Sequence, residues 1–387
     1  MRRSGLILLA LLATTPVGGA AQQTVGGRTS RRWIGTLLGA AAGVAAAGTY
    51  AALGGGAIGN CSRPQCVSIF SVSTGAIVGL MIGRESDRLY SLRYRYGRPL
   101  SLGGQRLDLR LTPLDVRVAG PTVAVAGESG VEILTSAPHL ERVTTRGRGL
   151  RGVQLAELGR ERLLVGTTIG LYAFPLAEDQ TLGTLLAPGE VSALDLQDDR
   201  VLVANGRQAV LARMDGDSLQ PLGTPRVFAE QVVDVAWDTR RAIAWVLTES
   251  ALVAVVTSDT GLADSVGAFA LPTPGRRLDV RGDTAAVAAG EGGVFVLNVA
   301  TPGAPALIAQ WSGARFAYDV ALRQGVVYLA AGPEGLYVLD PGPQGGLVVR
   351  GLDRDFGFVA ALHVSDDELF VVDRTGRALH RVALPAR

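Results

Sequence analysis

Two stretches of the chain, forty residues apart, have nearly the same sequence. Residues 278–303 read LDVRGDTAAVAAGEGGVFVLNVATPG, and residues 318–342 read YDVALRQGVVYLAAGPEGLYVLDPG. A self-similar period near forty residues indicates a repeat architecture, in which each copy is one supersecondary unit that buries its apolar surface against its neighbours. The period of the repeat therefore constrains the fold more strongly than the amino-acid composition does.

An apolar–Asp–apolar triplet marks the copies of this repeat. Counting two degenerate copies, the marker recurs seven times between residues 107 and 387, at steps of 39 to 45 residues. Its central residues are Asp115, Gln154, Asp195, Asp234, Asp279, Asp319 and His363. Each marker is followed by short apolar runs rich in Val, Leu and Ala, which are separated by Gly-bearing or polar turns.

Four short strands per forty residues is the unit of a β-propeller. We therefore predict an all-β fold, a seven-bladed β-propeller of four-stranded blades over residues 105–387. The last copy has room for only three strands, and the segment QRLDLRLTP before the first marker has strand character without a unit of its own. Because a propeller must close its ring, residues 105–112 are predicted to supply the outer strand of the seventh blade.

The chain begins with a segment typical of export. Arg2 and Arg3 precede an apolar run, and small residues follow around positions 18–21. This order predicts a signal peptide over residues 1–21, followed by a linker over 22–32, and so an exported protein. An uncleaved anchor helix is the alternative.

Residues 33–83 contain two uncharged apolar segments whose glycines recur every fourth residue. These glycines are Gly35, Gly39 and Gly43 in the first segment and Gly75, Gly79 and Gly83 in the second. In a helix this spacing clears one face, so that a second backbone can approach closely. The pattern resembles the glycine-zipper hairpins of bacterial envelope proteins, which implies a transmembrane α-helical hairpin. A disordered Gly/Ala linker is the alternative.

The predicted tip of the hairpin carries the only cysteines of the chain, Cys61 and Cys66. A small disulfide loop fits an oxidising compartment, and a pair of free thiols is the alternative. An Arg/Tyr-rich linker is predicted over residues 84–104. The arginines that flank the hairpin conflict with export under the positive-inside rule, and the sequence leaves open whether the membrane is the inner or the outer one.

The repeat itself resembles a known family. The sequence pattern DV…VVYLAAG…GLYVLD, clearest in the copies at Asp279 and Asp319, resembles the LVIVD-type repeat of bacterial surface propellers. The resemblance covers roughly residues 107–387. It implies a surface-exposed scaffold without catalytic residues, and it says little about function, since propellers host many unrelated activities.

Residues that could carry chemistry are few. The formal net charge is +2, so no attraction to nucleic acid is implied. The three histidines, His139, His363 and His380, fall in different parts of the repeat. We predict no catalytic, cofactor-binding or metal-binding residues and no cofactor. The marker aspartates allow two hypotheses: a ring of carboxylates that binds a cation in the channel, or structural acceptors of backbone hydrogen bonds that join blade to blade.

Together these patterns favour a non-enzymatic, membrane-anchored protein of the bacterial cell envelope. Its propeller would act as a scaffold for other envelope proteins, and the hairpin would hold it in a membrane and could form homo-oligomers. Two alternatives remain at this stage. One is a propeller enzyme of the lactonase or quinone-dependent dehydrogenase type that uses the central funnel, and the other is a glycine-zipper oligomer capped by the propeller.

Overall fold

A computed structural model describes residues 36–42, 44–45, 73–79, 81–82, 97–177, 183–342 and 346–385. The chain divides into two compact units, Met1–Arg95 and Tyr96–Arg387. The predicted signal peptide, the 22–32 linker, both cysteines, Gly35, Gly43 and Gly83 lie outside the described residues, so the predictions that concern them stay predictions.

In the first unit, the described segments are helical, at 36–42, 44–45, 73–79 and 81–82. Gly39 lies against the second helical segment: a Cβ added there would overlap the carbonyl oxygen of Gly75 and come 3.0 Å from the Cα of Gly79. Among the described residues, no helix has both the length and the hydropathy needed to cross a membrane. The hairpin over 33–83 therefore remains a prediction.

The second unit is a seven-bladed β-propeller, which confirms the predicted fold class. Two strands precede the repeat, β1 (Arg98–Leu100) and β2 (Gln105–Asp108). Blade 1 contains β3 (Pro113–Ala119), β4 (Thr122–Gly127), β5 (Gly130–Thr135) and β6 (Glu141–Arg146). Blade 2 contains β7 (Val153–Leu158), β8 (Arg162–Thr167), β9 (Gly170–Pro175) and β10 (Thr184–Pro188).

Blades 3 to 5 follow in the same order, from the innermost to the outermost strand. Blade 3 contains β11 (Ala193–Gln197), β12 (Arg200–Asn205), β13 (Gln208–Asp215), β14 (Ser218–Pro221) and β15 (Arg226–Val227), the last two both paired with β13. Blade 4 contains β16 (Val232–Asp238), β17 (Ile243–Thr248), β18 (Ala251–Ser258) and β19 (Gly261–Ala270). Blade 5 contains β20 (Arg277–Arg281), β21 (Thr284–Ala288), β22 (Val294–Asn298) and β23 (Ala306–Trp311).

The last two blades both incorporate strands from before the repeat. Blade 6 contains β24 (Asp319–Arg323), β25 (Val326–Ala330), β26 (Leu336–Pro341) and β27 (Leu347–Asp353). Blade 7 contains β28 (Val359–Ser365), β29 (Glu368–Asp373) and β30 (Ala378–Ala383). β2 pairs antiparallel with β30, so the ring closes with an N-terminal strand as predicted.

Two features of this closure were not predicted from the sequence. Arg98–Leu100, placed in the 84–104 linker, forms β1 and adds a fifth, parallel strand to the outer edge of blade 6. Between β1 and β2 lies Gly104, with φ of +114°. A Cβ there would overlap the carbonyl oxygen of Arg381 in β30, so only glycine allows the chain to approach blade 7 this closely.

In the described part of the propeller, the hydrophobic core consists of seven clusters, each shared by two adjacent blades. Strand β4 shows why its sequence, TVAVAG, is continuously apolar. Val123 and Val125 face blade 7, while Ala124 and Ala126 face blade 2. Because both faces of such a strand are buried, the alternation of polar and apolar residues expected of a half-exposed strand disappears.

Candidate functional site

The innermost strands β3, β7, β11, β16, β20, β24 and β28 surround a central cavity of about 630 Å³. All five marker aspartates line this cavity, as does His363. An innermost strand is an edge strand, so every second N–H group points away from its sheet and needs a partner outside it. The residues of this cavity therefore have to satisfy backbone donors as well as one another.

Four of the five marker aspartates accept a hydrogen bond from the innermost strand of the next blade. Oδ2 of Asp195 accepts from the Trp237 amide at 2.6 Å, and Oδ2 of Asp234 accepts from the Leu278 amide at 2.8 Å. Asp279 and Asp319 accept from the amides of Leu322 and Leu362, both at 2.7 Å. These contacts are of the kind that the structural hypothesis requires, although the donors lie in strands and not in turns.

The marker aspartates form two layers, a division that was not predicted from the sequence. Each innermost strand ends in a hairpin turn, and positions can be counted back from the last residue that pairs across it, for example Asp238, Arg281 or Arg323. Four residues before this point lies the turn-distal layer, with Asp115, Asp234, Arg277 and Asp319 as its charged members. Two residues before it lies the turn-proximal layer, with Arg117, Glu157, Asp195, Asp279 and His363. For Glu157 the count starts at Gly159, whose amide donates to the Arg162 carbonyl across the turn.

The marker alignment was wrong for Gln154. Gln154 is the bulged residue between Val153 and Leu155 in β7, and Leu155 and Glu157 occupy the two layers of blade 2. The equivalent bulges of blades 1 and 4 lie directly before Asp115 and Asp234. Gln154 instead donates a hydrogen bond to Glu190 at 3.2 Å. Arg117, Glu157 and Arg277 were not among the predicted site residues, although the period of two along a strand places Arg117 and Arg277 beside the predicted aspartates.

Arg117 connects the two layers within blade 1 and connects blade 1 to blade 2. Nη1 of Arg117 lies 2.8 Å from Oδ1 of Asp115, and its Nε lies 2.5 Å from Oε1 of Glu157. Oδ2 of Asp115 has no hydrogen-bond partner among the described residues, whereas the equivalent oxygens of Asp234 and Asp319 hold backbone amides. Blade 1 thus substitutes an arginine contact for the backbone contact made elsewhere.

Burial among like charges changes the acidity of the cavity. Burial, with Asp195 and Asp115 nearby, raises the pKa of Glu157 to about 8 despite its ion pair with Arg117. Burial raises the pKa of Asp319 to about 7, and it also raises the pKa values of Asp195, Asp234 and Asp279. Burial lowers the pKa of His363 to about 3, helped by Arg117 and Arg281, so this imidazole is neutral at physiological pH.

The three histidines do not meet. His363 lies in the cavity, His380 packs edge-on against Phe356 at 4.9 Å, and Nδ1 of His139 lies 3.1 Å from Nε2 of Gln105. Across the described part of the chain, no cluster of three or more His, Cys, Asp or Glu residues is arranged to hold a metal ion. The cation hypothesis for the marker ring therefore gains no geometric support there.

A second feature lies where the innermost strands begin, at the opposite end of the propeller from their hairpin turns. The rings of Phe316 and Tyr318 are 4.7 Å apart, and Tyr318 meets Phe358 edge-on at 4.9 Å. The guanidinium of Arg276 lies over Phe316 at 4.7 Å. We call these four residues, Arg276, Phe316, Tyr318 and Phe358, the aromatic cluster. It belongs to blades 5 to 7 only and so breaks the sevenfold repetition.

Comparison with known proteins supports the fold alone. No protein-family model and no curated protein matches the sequence. Solved structures do match. A chain described as the mitotic checkpoint complex has a TM-score of 0.60 and 11% identity, over 75% of this chain and 98% of that chain.

Two further solved structures share the architecture. The WD40 β-propeller domain of Doa1 has a TM-score of 0.57 and 13% identity, over 73% of this chain and 96% of that chain. The computationally designed Ika8 protein has a TM-score of 0.53 and 10% identity, over 73% of this chain and all of that chain. At such identities the likeness establishes a propeller with WD40-like structural neighbours and leaves the LVIVD-type resemblance a prediction.

Proposed function

We propose that the chain is a non-enzymatic envelope protein, exported and held in a membrane by the hairpin over residues 33–83, whose propeller is a rigid scaffold for other envelope proteins. The observation that supports anchoring is the placement of side chains on the helical segments, which is the reverse of that expected for a helix packed in a water-soluble domain. Glycines lie between them, while the large apolar side chains point outward and are 50–67% exposed. These exposed residues are Leu37, Leu38, Val44, Ile77, Val78, Met81 and Ile82. Small residues inside and large apolar residues outside suit a lipid environment.

We expect the double variant M81E/I82E to leave the membrane fraction after alkaline carbonate washing, while the wild-type chain stays there until detergent is added. Two carboxylates on the outward face make burial in lipid costly, by about 2 kcal/mol or more for each. The matched control is V143E, because Val143 is equally exposed but lies in the propeller. A wild-type chain released by carbonate, or a double variant that stays bound, would contradict anchoring.

The aromatic cluster is the proposed contact face of the scaffold. Aromatic and arginine side chains contribute most of the binding energy at protein interfaces. The loops that carry the aromatic cluster are also fixed to the preceding blade by isolated β-bridges. Ala317 pairs with Gly290, and Val359 pairs with Gly332. The WD40 propeller and the checkpoint complex among the structural neighbours support a protein-interaction role for the fold, and they identify no partner for this chain.

A photo-crosslinking amino acid at position 315, next to the aromatic cluster, is expected to give an adduct with an envelope protein in intact cells. The same probe at position 160 should give none, because Arg160 is similarly exposed but lies at the hairpin-turn end of the propeller. The double variant Y318A/F358A should remove the adduct at position 315. Equal adducts at both positions, or an adduct that survives Y318A/F358A, would exclude this face.

A further inference from the structure

The aromatic cluster contains a guanidinium group that no acceptor of the described chain engages. The Arg276 guanidinium lies 4.7 Å from the centre of the Phe316 ring, and across the described ranges it forms no hydrogen bond and no ion pair within 4.0 Å. Arg374 lies at the same end of the propeller, where its amide donates to the Phe358 carbonyl at 2.9 Å, but its guanidinium lies 3.1 Å from the Glu128 carboxylate. Stacking on a ring fixes the plane of a guanidinium, so Arg276 can offer two parallel N–H donors to a carboxylate.

The three rings of the cluster are half-buried, with one side packed on loop backbone. A Cβ at Gly290 would come 3.2 Å from Phe316, and one at Gly332 would come 2.5 Å from Tyr318. Phe358 lies over the same glycine, because a Cβ at Gly332 would also come 3.2 Å from its ring. The rings are thus held against two loops of blades 5 and 6, and their exposed sides form a fixed apolar surface. Such a surface loses little conformational entropy when a partner binds.

The cluster combines unengaged donors with this apolar surface. Besides the Arg276 guanidinium, the hydroxyl of Tyr318 makes no hydrogen bond with the residues that the structure describes. A complementary ligand therefore supplies an acceptor, and the positive charge of Arg276 favours a carboxylate over a neutral acceptor. Next to this carboxylate, the ligand needs a large apolar group that covers the exposed sides of the rings.

The acids around the cluster limit how much negative charge the ligand can carry. Glu291 is exposed and follows Gly290 directly, and Glu334 lies two residues after Gly332. Both loops under the rings thus carry a carboxylate of their own. A chain of phosphates, such as a nucleic acid, would place further negative charges near both, and like charges repel. A single carboxylate held by Arg276 avoids this repulsion.

We propose that the aromatic cluster binds an extended segment of a partner protein in which one Asp or Glu and one large apolar side chain lie two residues apart. In an extended segment such side chains point to the same face and are about 6.6 Å apart. Neighbouring members of the cluster are 4.7–4.9 Å apart. The carboxylate can therefore reach Arg276 while the apolar side chain covers Tyr318 and Phe358. This partner chemistry rests on the proposed contact face.

Ligand-observed NMR titration of the full chain in detergent tests this partner chemistry with three blocked pentapeptides. Ser-Trp-Ser-Glu-Ser is expected to bind at least threefold more tightly than Ser-Trp-Ser-Gln-Ser, because only the Glu side chain carries a charge for Arg276. It should also bind at least threefold more tightly than Ser-Ser-Ser-Glu-Ser, which has no apolar side chain for the rings. The absence of either difference, or no binding of Ser-Trp-Ser-Glu-Ser at millimolar concentration, would overturn the proposal.

Two variants that each remove one arginine charge from the same end of the propeller separate a direct contact with Arg276 from general electrostatic attraction. R276Q is expected to abolish the preference for Glu over Gln and to leave the binding of the Gln peptide unchanged, which also shows that the variant is folded. R374Q should keep the preference, because Arg374 is already paired with Glu128. A preference that persists in R276Q, or that R374Q abolishes equally, would contradict the proposal. Loss of both peptides in R276Q would mean that Arg276 supports the rings and does not hold the carboxylate, which also contradicts it.

The peptide titrations and the crosslinking at position 315 have separate outcomes. An adduct at position 315 without a preference for the Glu peptide would overturn the acidic partner segment and leave the scaffold function standing. A preference for the Glu peptide without an adduct would support the chemistry of the aromatic cluster and contradict its use as a contact face in cells.

Discussion

Replacing β2 (Gln105–Asp108) with Gly-Ser-Gly-Ser is expected to lower the melting temperature of the propeller by about 6–20 °C and to broaden its transition. The substitution weakens all four residue pairs that join the N-terminal segment to β30, because Gly and Ser disfavour the extended strand. It also removes Leu107 from the cluster between blades 7 and 1, and with it Gln105, whose Oε1 accepts from the Leu140 amide of blade 1 at 3.0 Å.

The size of this effect follows from what is lost together. A truncated half-buried leucine, a buried amide of blade 1 without its acceptor, and an opened edge on β30 sum to about 3–5 kcal/mol. For a domain of this size each kcal/mol moves the melting temperature by about 2–4 °C. The exposed edge of β30 would in addition favour association of unfolding chains.

Strand β14 (Ser218–Pro221) provides a matched control for this experiment. It is also an outer strand with four residue pairs, to β13, but it closes no ring. The same Gly-Ser-Gly-Ser replacement there should lower the melting temperature by a few degrees only. Circular dichroism and calorimetry on both variants decide the matter. Equal shifts would show that β2 is an ordinary edge strand and that the ring is held by packing between blades alone.

The sequence predicted the propeller because its signals are local and repeated. Turn residues and apolar runs recur in each copy. The strand pattern of one copy alone is a weak signal, but seven copies at the same period together predict the blade. The register inside each blade was harder to predict. Blade 2 has no Asp at the marker position, and its degenerate triplet was predicted one residue too early, on the bulged residue between Val153 and Leu155. In blades 1 and 4 the equivalent bulge lies directly before Asp115 and Asp234, which identify the position.

The site was predicted in part. That the marker aspartates lie on innermost strands follows from their place in the repeat, and the structure has them there. Their division into two layers depends on the number of residues between each Asp and the following turn, which the apolar–Asp–apolar triplet does not reveal. Arg277 in RRLDV and Glu157 in QLAEL look like surface charges in sequence, because only the ring closure turns these positions toward a shared cavity.

The sequence contains no lysine, and several of its arginines make contacts that a lysine would make less well. Arginines repeatedly reach from one blade to a turn of the next. Arg241 bonds the Gly282 carbonyl and the Asp283 carboxylate, and Arg323 bonds the Asp366 carbonyl and the Asp367 carboxylate. A guanidinium can hold two acceptors at fixed angles, which an ammonium group does less well.

The second large effect is expected for D319A, which should destabilise the propeller by about 3 kcal/mol. Oδ1 of Asp319 accepts from the Val320 amide at 2.8 Å, and Oδ2 accepts from the Leu362 amide of blade 7 at 2.7 Å. Alanine leaves both buried donors without an acceptor, and each unpaired donor costs about 1–3 kcal/mol. Denaturant unfolding measures the difference, with D217A as the control, because Asp217 is an exposed turn residue that makes one surface ion pair.

The pH dependence of D319A separates the carboxylate's charge from its hydrogen bonds. Burial raises the pKa of Asp319 from its usual 3.8 to about 7 in the folded state. The folded protein then binds more protons than the unfolded chain between these values, so this group's favourable contribution is complete below pH 3.8 and is lost as the pH rises toward 7. Wild-type stability should therefore fall more steeply than that of D319A between pH 5 and pH 8. A destabilisation by D319A that is the same at both pH values would show that Asp319 keeps its charge throughout and acts through its hydrogen bonds to Val320 and Leu362 alone.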